Sequence, residues 1–281
     1  MPRLFIFGLG YTATFIARTF EAQGWEIIST GRAGTLSFDD EGSVRVALAD
    51  SDHVLSSVPP GREARGEPLD PVLERYGDAL KGKALSYLSS TGVYGDAGGA
   101  WVDEASPVGG GRRTARAEAD ACWLALGARA YRLPGIYGPG RSILDRLREG
   151  RAHRIDLPGQ VFSRVHVEDI AAGVIAGMKA PAGAYNLADD LPCHQNLLVE
   201  HACAQLGLPL PALQTLDEAG LSPMARAFYA ENRRVANGKA KRVLGWRPRY
   251  PDFAAGLRAL SATISPNVAS AAPAAASNDQ R

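Results

Sequence analysis

The chain of 281 residues contains no apolar run approaching the roughly 18 residues of a membrane span, which excludes a transmembrane helix. Net charge is almost absent as well, at +1 with the histidines neutral. No bulk field therefore gathers nucleic acid or anionic membrane, and a small-molecule substrate is the expected partner. Cysteine is scarce: Cys122, Cys193 and Cys203 are an odd number without a Cys-x-x-Cys pair. They read as reduced core residues of a cytoplasmic protein. His53, His153, His166, His194 and His201 form no His-x-x-x-His or His-Glu-x-x-His set, so no metal centre is expected. No internal repeat is present. Arg3 precedes an apolar run that spans only residues 4–7 and meets no small-residue cleavage site, so a buried strand fits it better than a signal peptide.

What is present is an ordinary globular composition, 46% hydrophobic and 22% charged, long enough for one large core or for a nucleotide-binding domain with a smaller companion. Short apolar runs at residues 3–7, 25–30, 44–48, 53–58, 84–89 and 128–133 read as strands. Ala13, Ile16, Ala17 and Phe20 recur at helical spacing until Gly24. Residues 71–80 form a second helical pattern, and Ala115, Ala119, Cys122, Trp123 and Leu126 share a third helix face. This alternation predicts an α/β fold, a doubly wound parallel sheet with helices on both faces.

Beyond Pro139 the pattern loosens. Residues 142–150 and 195–206 read as helices, while 209–216 and 246–250 are short proline-marked segments. Between them, residues 161–167, a helix near 169–178 and a strand at 184–187 are expected to rejoin the first sheet. A nucleotide-binding region at 1–140 and about 161–190 then interleaves with a small substrate region at about 141–160 and 191–264. The tail from residue 265 is poor in large apolar groups and is expected to be disordered.

The N-terminal strand runs into Gly8-x-Gly10-x-x-Ala13, which opens the first helix. Gly8 permits a tight turn, Gly10 lets backbone approach a pyrophosphate, and Ala13 allows close helix–strand packing. Tyr11 and Thr12 complete a helix N-terminus that faces the phosphate charge. An NAD enzyme usually places Asp or Glu about 20 residues further on to bond the ribose 2′-hydroxyl. This chain reads Ser29-Thr30-Gly31-Arg32 there, with no carboxylate. Arg32 suits a 2′-phosphate, with Ser29 or Thr30 adding a hydroxyl, so NADP is expected in preference to NAD. The competing reading of Arg32 is a solvated loop arginine. Ser56, Ser57, Pro59 and Pro60 end the fourth predicted strand, where adenine-side ribose and phosphates pass in such a fold.

Further segments follow in order: Ser89-Ser-Thr-Gly-Val-Tyr-Gly95 with Val102-Asp-Glu-Ala-Ser-Pro107, Tyr131-Arg-Leu-Pro-Gly-Ile-Tyr-Gly-Pro-Gly-Arg141, Arg164-Val-His-Val-Glu-Asp-Ile-Ala171, Tyr185-Asn-Leu-Ala-Asp-Asp190 and Leu244-Gly-Trp-Arg-Pro-Arg-Tyr-Pro251. Together they resemble the extended short-chain dehydrogenases/reductases, the sugar-nucleotide epimerase and dehydratase group, over residues 3–262. The short length and glycine spacing look like its atypical members. The resemblance implies hydride transfer between NAD(P) and a carbon bearing a hydroxyl or carbonyl. It makes Ser90, four residues before Tyr94, the group that holds the substrate oxygen. It sets Ser89 and Pro134 beside the cofactor, and Thr91, Tyr137, Arg141 and Arg234 toward the substrate. A Tyr-x-x-x-Lys pair normally follows, in which the lysine lowers the tyrosine pKa and makes it the acid/base.

That pair is missing. No lysine lies between Lys83 and Lys179, and no tyrosine between Tyr94 and Tyr131. None of the nine tyrosines has a lysine four residues on; Tyr137 and Tyr229 have Arg141 and Arg233 there. Aligning the acidic end of the relevant helix puts Arg112 at the tyrosine position and Arg116 at the lysine position, whereas a register two residues earlier offers Gly110 and Thr114. Arg116 can still bond ribose hydroxyls. Arg112 keeps its proton near neutrality, which leaves it to stabilise an oxyanion or to bind an acidic substrate group. Tyr94 is the nearest acid/base candidate, although without a lysine its pKa stays at about 10. Thr91-Gly92 replaces the Asp-Glu pair of the family's dehydratases, which disfavours sugar dehydration.

His166 and Asp169 are expected to hold a turn and cap a helix, and Asp103 and Glu104 to be solvated. Arg233 and Arg234, with Asn237, either reach the cleft or form a surface basic patch. The expected activity is an NADP-dependent reductase or epimerase acting on a polar substrate of the sugar- or nucleotide-linked kind, in a monomer or homodimer. The alternative is a non-catalytic NADP-binding sensor or regulator that keeps the pocket and has lost the chemistry.

Overall fold

The computed structural model describes residues 1–62, 68–110 and 114–264. The strands β1 (Arg3–Phe7), β2 (Glu26–Ser29), β3 (His53–Ser56), β4 (Ala84–Ser90), β5 (Arg129–Leu133) and β6 (Gly183–Asn186) form one sheet in the order β6-β5-β4-β3-β1-β2. Every neighbouring pair is parallel. Helices cover both faces, so the central strands are apolar on both sides. Along β1 the side chains alternate: Leu4 and Ile6 face the layer of α1 (Tyr11–Glu21), while Phe5 and Phe7 face the opposite layer.

Helix α2 (Glu41–Ala49) corrects the expected third strand at residues 44–48. Val44, Val46 and Leu48 alternate like a strand, yet Val44 and Leu48 are buried while Val46 is exposed. Burial at i and i+4 is the helical pattern, and the Asp40 side chain caps the helix by accepting the Ser43 N–H. After α3 (Pro71–Tyr76), α4 (Thr114–Ala125) packs on β4 and β5 through Trp123, stacked on Tyr87 with ring centroids 5.3 Å apart. The Trp123 N–H donates to Asp70, which also caps α3. Cys122 points outward, against the expectation of a core residue, whereas Cys193 and Cys203 are buried.

A second correction concerns residues 161–167. The strand Arg164–His166 pairs with Gly135–Tyr137 outside the main sheet, and only β6 extends the sheet itself. Helix α6 (Val167–Gly177) follows at once, with His166 as its N-cap. In its first turn, the Asp169 carboxylate accepts the N–H groups of Arg249 and Tyr250, and its carbonyl accepts Trp246 Nε1. One buried aspartate thus ties down the segment that leads into the last helix. A separate apolar cluster joins α5 (Ile143–Arg148), α7 (Gln195–Leu206) and α8 (Phe253–Ile264) through Leu144, Val199 and Leu257. Among the described residues no helix is long and apolar enough to cross a membrane.

Candidate functional site

The chain reverses direction across the sheet between β1 and β3, and a ligand crevice is expected outside the carboxyl ends of those strands. Gly8 leaves β1 at φ +81°, and a Cβ there would stand 3.0 Å from Val58 Cγ2. The loop is held from beneath: Thr30 Oγ1 accepts the Gly8 N–H at 3.2 Å, Thr30 O accepts the Leu9 N–H at 2.7 Å, and Ser57 Oγ donates to Gly8 O. Gly10 caps α1 without a side chain, and a Cβ on it would meet open space. The N–H groups of Tyr11, Thr12 and Ala13 have no acceptor among the described residues. An uncapped helix start with a glycine approach is an anion cradle, and it fits a pyrophosphate.

Arg32 stands exposed just beyond β2 with no ion-pair partner among the described residues. Its neighbour Thr30 is buried, serves the glycine loop and does not face a ribose. Ser56 is likewise buried under the crevice, its hydroxyl unpartnered, while Pro59 is exposed.

At the carboxyl end of β4 the pleat sends Ser89 inward and Ser90 outward. Ser89 Oγ donates to Asp120 on α4 at 2.5 Å, so it braces the sheet and is not placed toward a cofactor. Asp120 also accepts Arg132 Nη2 at 2.7 Å and Nε at 3.2 Å. Arg132 Nη1 donates to the Tyr94 hydroxyl at 3.0 Å, and that hydroxyl donates to Asn186 Oδ1 at 2.7 Å. Tyr94 is therefore corrected as an acid/base candidate. It is 5% exposed, its hydroxyl is engaged on both sides, and burial pushes its pKa above the ordinary tyrosine value despite Arg132. Ser90 Oγ accepts the Gly92 N–H at 3.1 Å and keeps its own hydrogen to donate.

Ser90, Thr91 and Pro134 line a cavity of about 190 Å³. Among the described residues no tyrosine, lysine or histidine lines it; its charged groups are Arg164, Glu231 and Arg233. Arg234 is corrected as a cleft residue, because it donates to Gly99 O and it is Arg233 that reaches the cavity. Arg116 lies beside Tyr87 and opposes the upward shift that burial imposes on that hydroxyl. Arg112 lies outside the described residues.

A larger cavity of about 590 Å³ adjoins the first, sharing Gly135, Phe162, Arg164, Gln195 and Phe228. Tyr137 and Arg141 line it. Arg141 also lies over the Tyr11 ring, 5.5 Å from its centroid, and the Tyr11 hydroxyl donates to Pro139 O at 3.1 Å, which links the cavity mouth to the glycine loop. The Tyr137 hydroxyl is buried without a partner. No role for Arg164 follows from the sequence, although a charge inside the apolar run 161–167 is a visible signal.

No family model matches the chain. It is similar to a functionally unknown conserved protein of Silicibacter pomeroyi, with 40% identity, 94% of this chain and 99% of that one covered, and a TM-score of 0.81. It is also similar to a human epimerase family protein solved with NADPH, at 17% identity, 92% and 99% coverage and a TM-score of 0.73. The Escherichia coli protein YeeZ is 25% identical over 90% of this chain and 97% of its own. A Streptomyces 3-diazoavenalumate denitrifying reductase is 30% identical over 43% of each chain.

Proposed function

We propose, on the premise that this chain belongs with the Silicibacter pomeroyi protein to one family and carries the short-chain dehydrogenase/reductase fold of the epimerases and dehydratases, that it is an NADP(H)-dependent reductase of a small molecule. The observation that carries the reading is the uncapped start of α1 at Gly10, open to receive a pyrophosphate. Arg32, exposed and free of a carboxylate, favours NADP over NAD. When bound, the cofactor supplies a hydride.

The chain's own residues argue for the direction. Oxidising a hydroxyl, whether to a ketone product or as the first half of an epimerisation, needs a base to take its proton. The one carboxylate among the described residues lining the smaller cavity is Glu231, paired with Arg233 at 2.9 Å. Hydride delivery to an electron-poor, conjugated acceptor needs no side-chain base: Ser90 can polarise the acceptor by donating a hydrogen bond, and the enolate-like anion that the hydride leaves takes its proton from water. That the Streptomyces relative is named a reductase supports the same direction. The larger cavity sets the apolar Ile143, Leu198, Phe253 and Leu257 beside the charged Arg141, Arg146, Arg151 and Glu149, a lining that suits a substrate with an apolar body and a charged end.

A second reading, a non-catalytic NADP sensor, is favoured by the engagement of Tyr94 in the core. NADPH oxidation followed across a panel of carbonyl and conjugated acceptors separates the two. Turnover that Ser90→Ala abolishes without changing NADP affinity supports the reductase. NADP binding with no turnover on any acceptor supports the sensor. A crystal soaked with NADP would show which side chains face nicotinamide C4.

A further inference from the structure

The two cavities meet at Arg164, which lines both. Its strand pairs with Gly135–Tyr137 just past the end of β5, which turns the side chain inward and leaves the residue 6% exposed. A guanidinium keeps its proton, so this is a buried positive charge. Arg132, comparably buried, is clamped by Asp120. Arg164 has no such clamp. Its Nη1 donates to Phe162 O at 3.0 Å and to Cys193 Sγ at 3.2 Å, with Cys193 O at 3.5 Å, and its Nη2 donates to Gln195 Oε1 at 2.9 Å. All these acceptors are neutral. Nε and the second Nη2 hydrogen have no partner among the described residues.

A nearby acid, Asp189, is buried too; Oδ1 accepts the Leu191 N–H and Oδ2 has no partner. Among the described residues neither Asp189 oxygen pairs with the guanidinium, and burial, with Asp190 and Asp252 adding to it, pushes Asp189 up to about 8 against the pull of Arg164. Around the larger cavity, Phe162, Phe228, Tyr229 and Phe253 supply aromatic walls. Its volume of about 590 Å³ is that of an ordinary small-ligand pocket.

We propose that Arg164 is the anion anchor of the substrate cleft, taking the carboxylate of an apolar, preferably aromatic, acid whose body fills the larger cavity. The proposal rests on the reductase reading for the placement of the reacting carbon toward Ser90. It rests on the structure alone for the anion. A buried, unclamped guanidinium with free donors matches a carboxylate, and a neutral isostere would leave those donors unpaired.

The test is calorimetric titration of the whole chain, near pH 7 and with NADP present, using 3-phenylpropionate and its uncharged amide, 3-phenylpropionamide. The expected result is a preference of about tenfold or more for the carboxylate. Arg164→Met removes that preference and leaves NADP affinity unchanged. Should that variant fail to fold, Gln195→Glu reports instead, because a carboxylate placed 2.9 Å from Nη2 occupies the arginine and abolishes the preference. Equal affinity for the two probes, including no binding of either, or a preference that survives in folded Arg164→Met, overturns the proposal. A carboxylate preference without NADP binding leaves the anchor standing and defeats the cofactor reading; NADP binding without a preference does the reverse.

Discussion

Replacing Asp120 by alanine asks whether a buried charge network holds the carboxyl end of β4. In the native chain Asp120 and Arg132 are 1% and 4% exposed and meet at 2.7 Å, with Ser89 and Tyr94 attached. Asp120→Ala leaves the guanidinium without its counter-charge in a site water barely reaches, and Ser89 Oγ without its acceptor. Removing one member of such a pair costs about 3–5 kcal/mol. At about 2 °C per kcal/mol for a chain of this size, Tm should fall by about 6–10 °C. Urea unfolding followed by tryptophan fluorescence measures the loss as a lower midpoint at unchanged slope. The double variant Asp120→Ala/Arg132→Met should recover part of it, since the stranded charge is gone. Breaking the exposed Arg45–Asp78 pair by Asp78→Ala should leave the midpoint nearly unchanged. An Asp120→Ala loss as small as that control would refute the reasoning.

Tyr94→Phe should destabilise by about 1–3 kcal/mol, because Arg132 Nη1 and Asn186 Oδ1 lose their shared hydroxyl, while any NADPH turnover persists. A loss of turnover of about 100-fold or more would restore Tyr94 as an acid/base. Gly10→Val should abolish NADP binding in a direct titration yet lower stability by no more than about 1 kcal/mol, since a Cβ there meets open space at the helix start; undiminished NADP affinity would contradict the cradle. Burial holds His53 down to about 4 from 6.5, with Arg129 adding to it, so the unfolded chain takes the proton first as pH falls. Stability should therefore drop between pH 6.5 and 4 by about 1.4 kcal/mol per unit from this group. His53→Gln should flatten that slope in acid titrations of unfolding, and an unchanged slope would count against a neutral buried histidine.

The parts of the fold legible in the sequence are those set by neighbours in the chain. Four buried residues followed by Gly8 and Gly10 announce β1 and its loop because strand, turn and helix start are contiguous. Residues 44–48 misled because Val44, Val46 and Leu48 satisfy both periods, and only the cap at Asp40 and the exposure of Val46 decide. Ser89 and Ser90 are adjacent and chemically identical, so their separate fates depend on pairing with β5, which brings Arg132 alongside Ser89. Tyr94 occupied a plausible spacing, but its partners lie 38 and 92 residues away. Arg164 shows the same limit: a charge in an apolar run is visible, while the two cavities it joins are built from segments scattered between residues 90 and 257.

The measurement closest to the central claim is titration of NADP and NAD into the wild-type chain and Arg32→Ala. The account predicts that the wild type binds NADP about 10–100-fold more tightly than NAD, the range of charge-assisted bonds to a 2′-phosphate, and that Arg32→Ala removes the preference while NAD affinity holds. Equal affinities in the wild type, a preference untouched by Arg32→Ala, or no binding of either dinucleotide would contradict it.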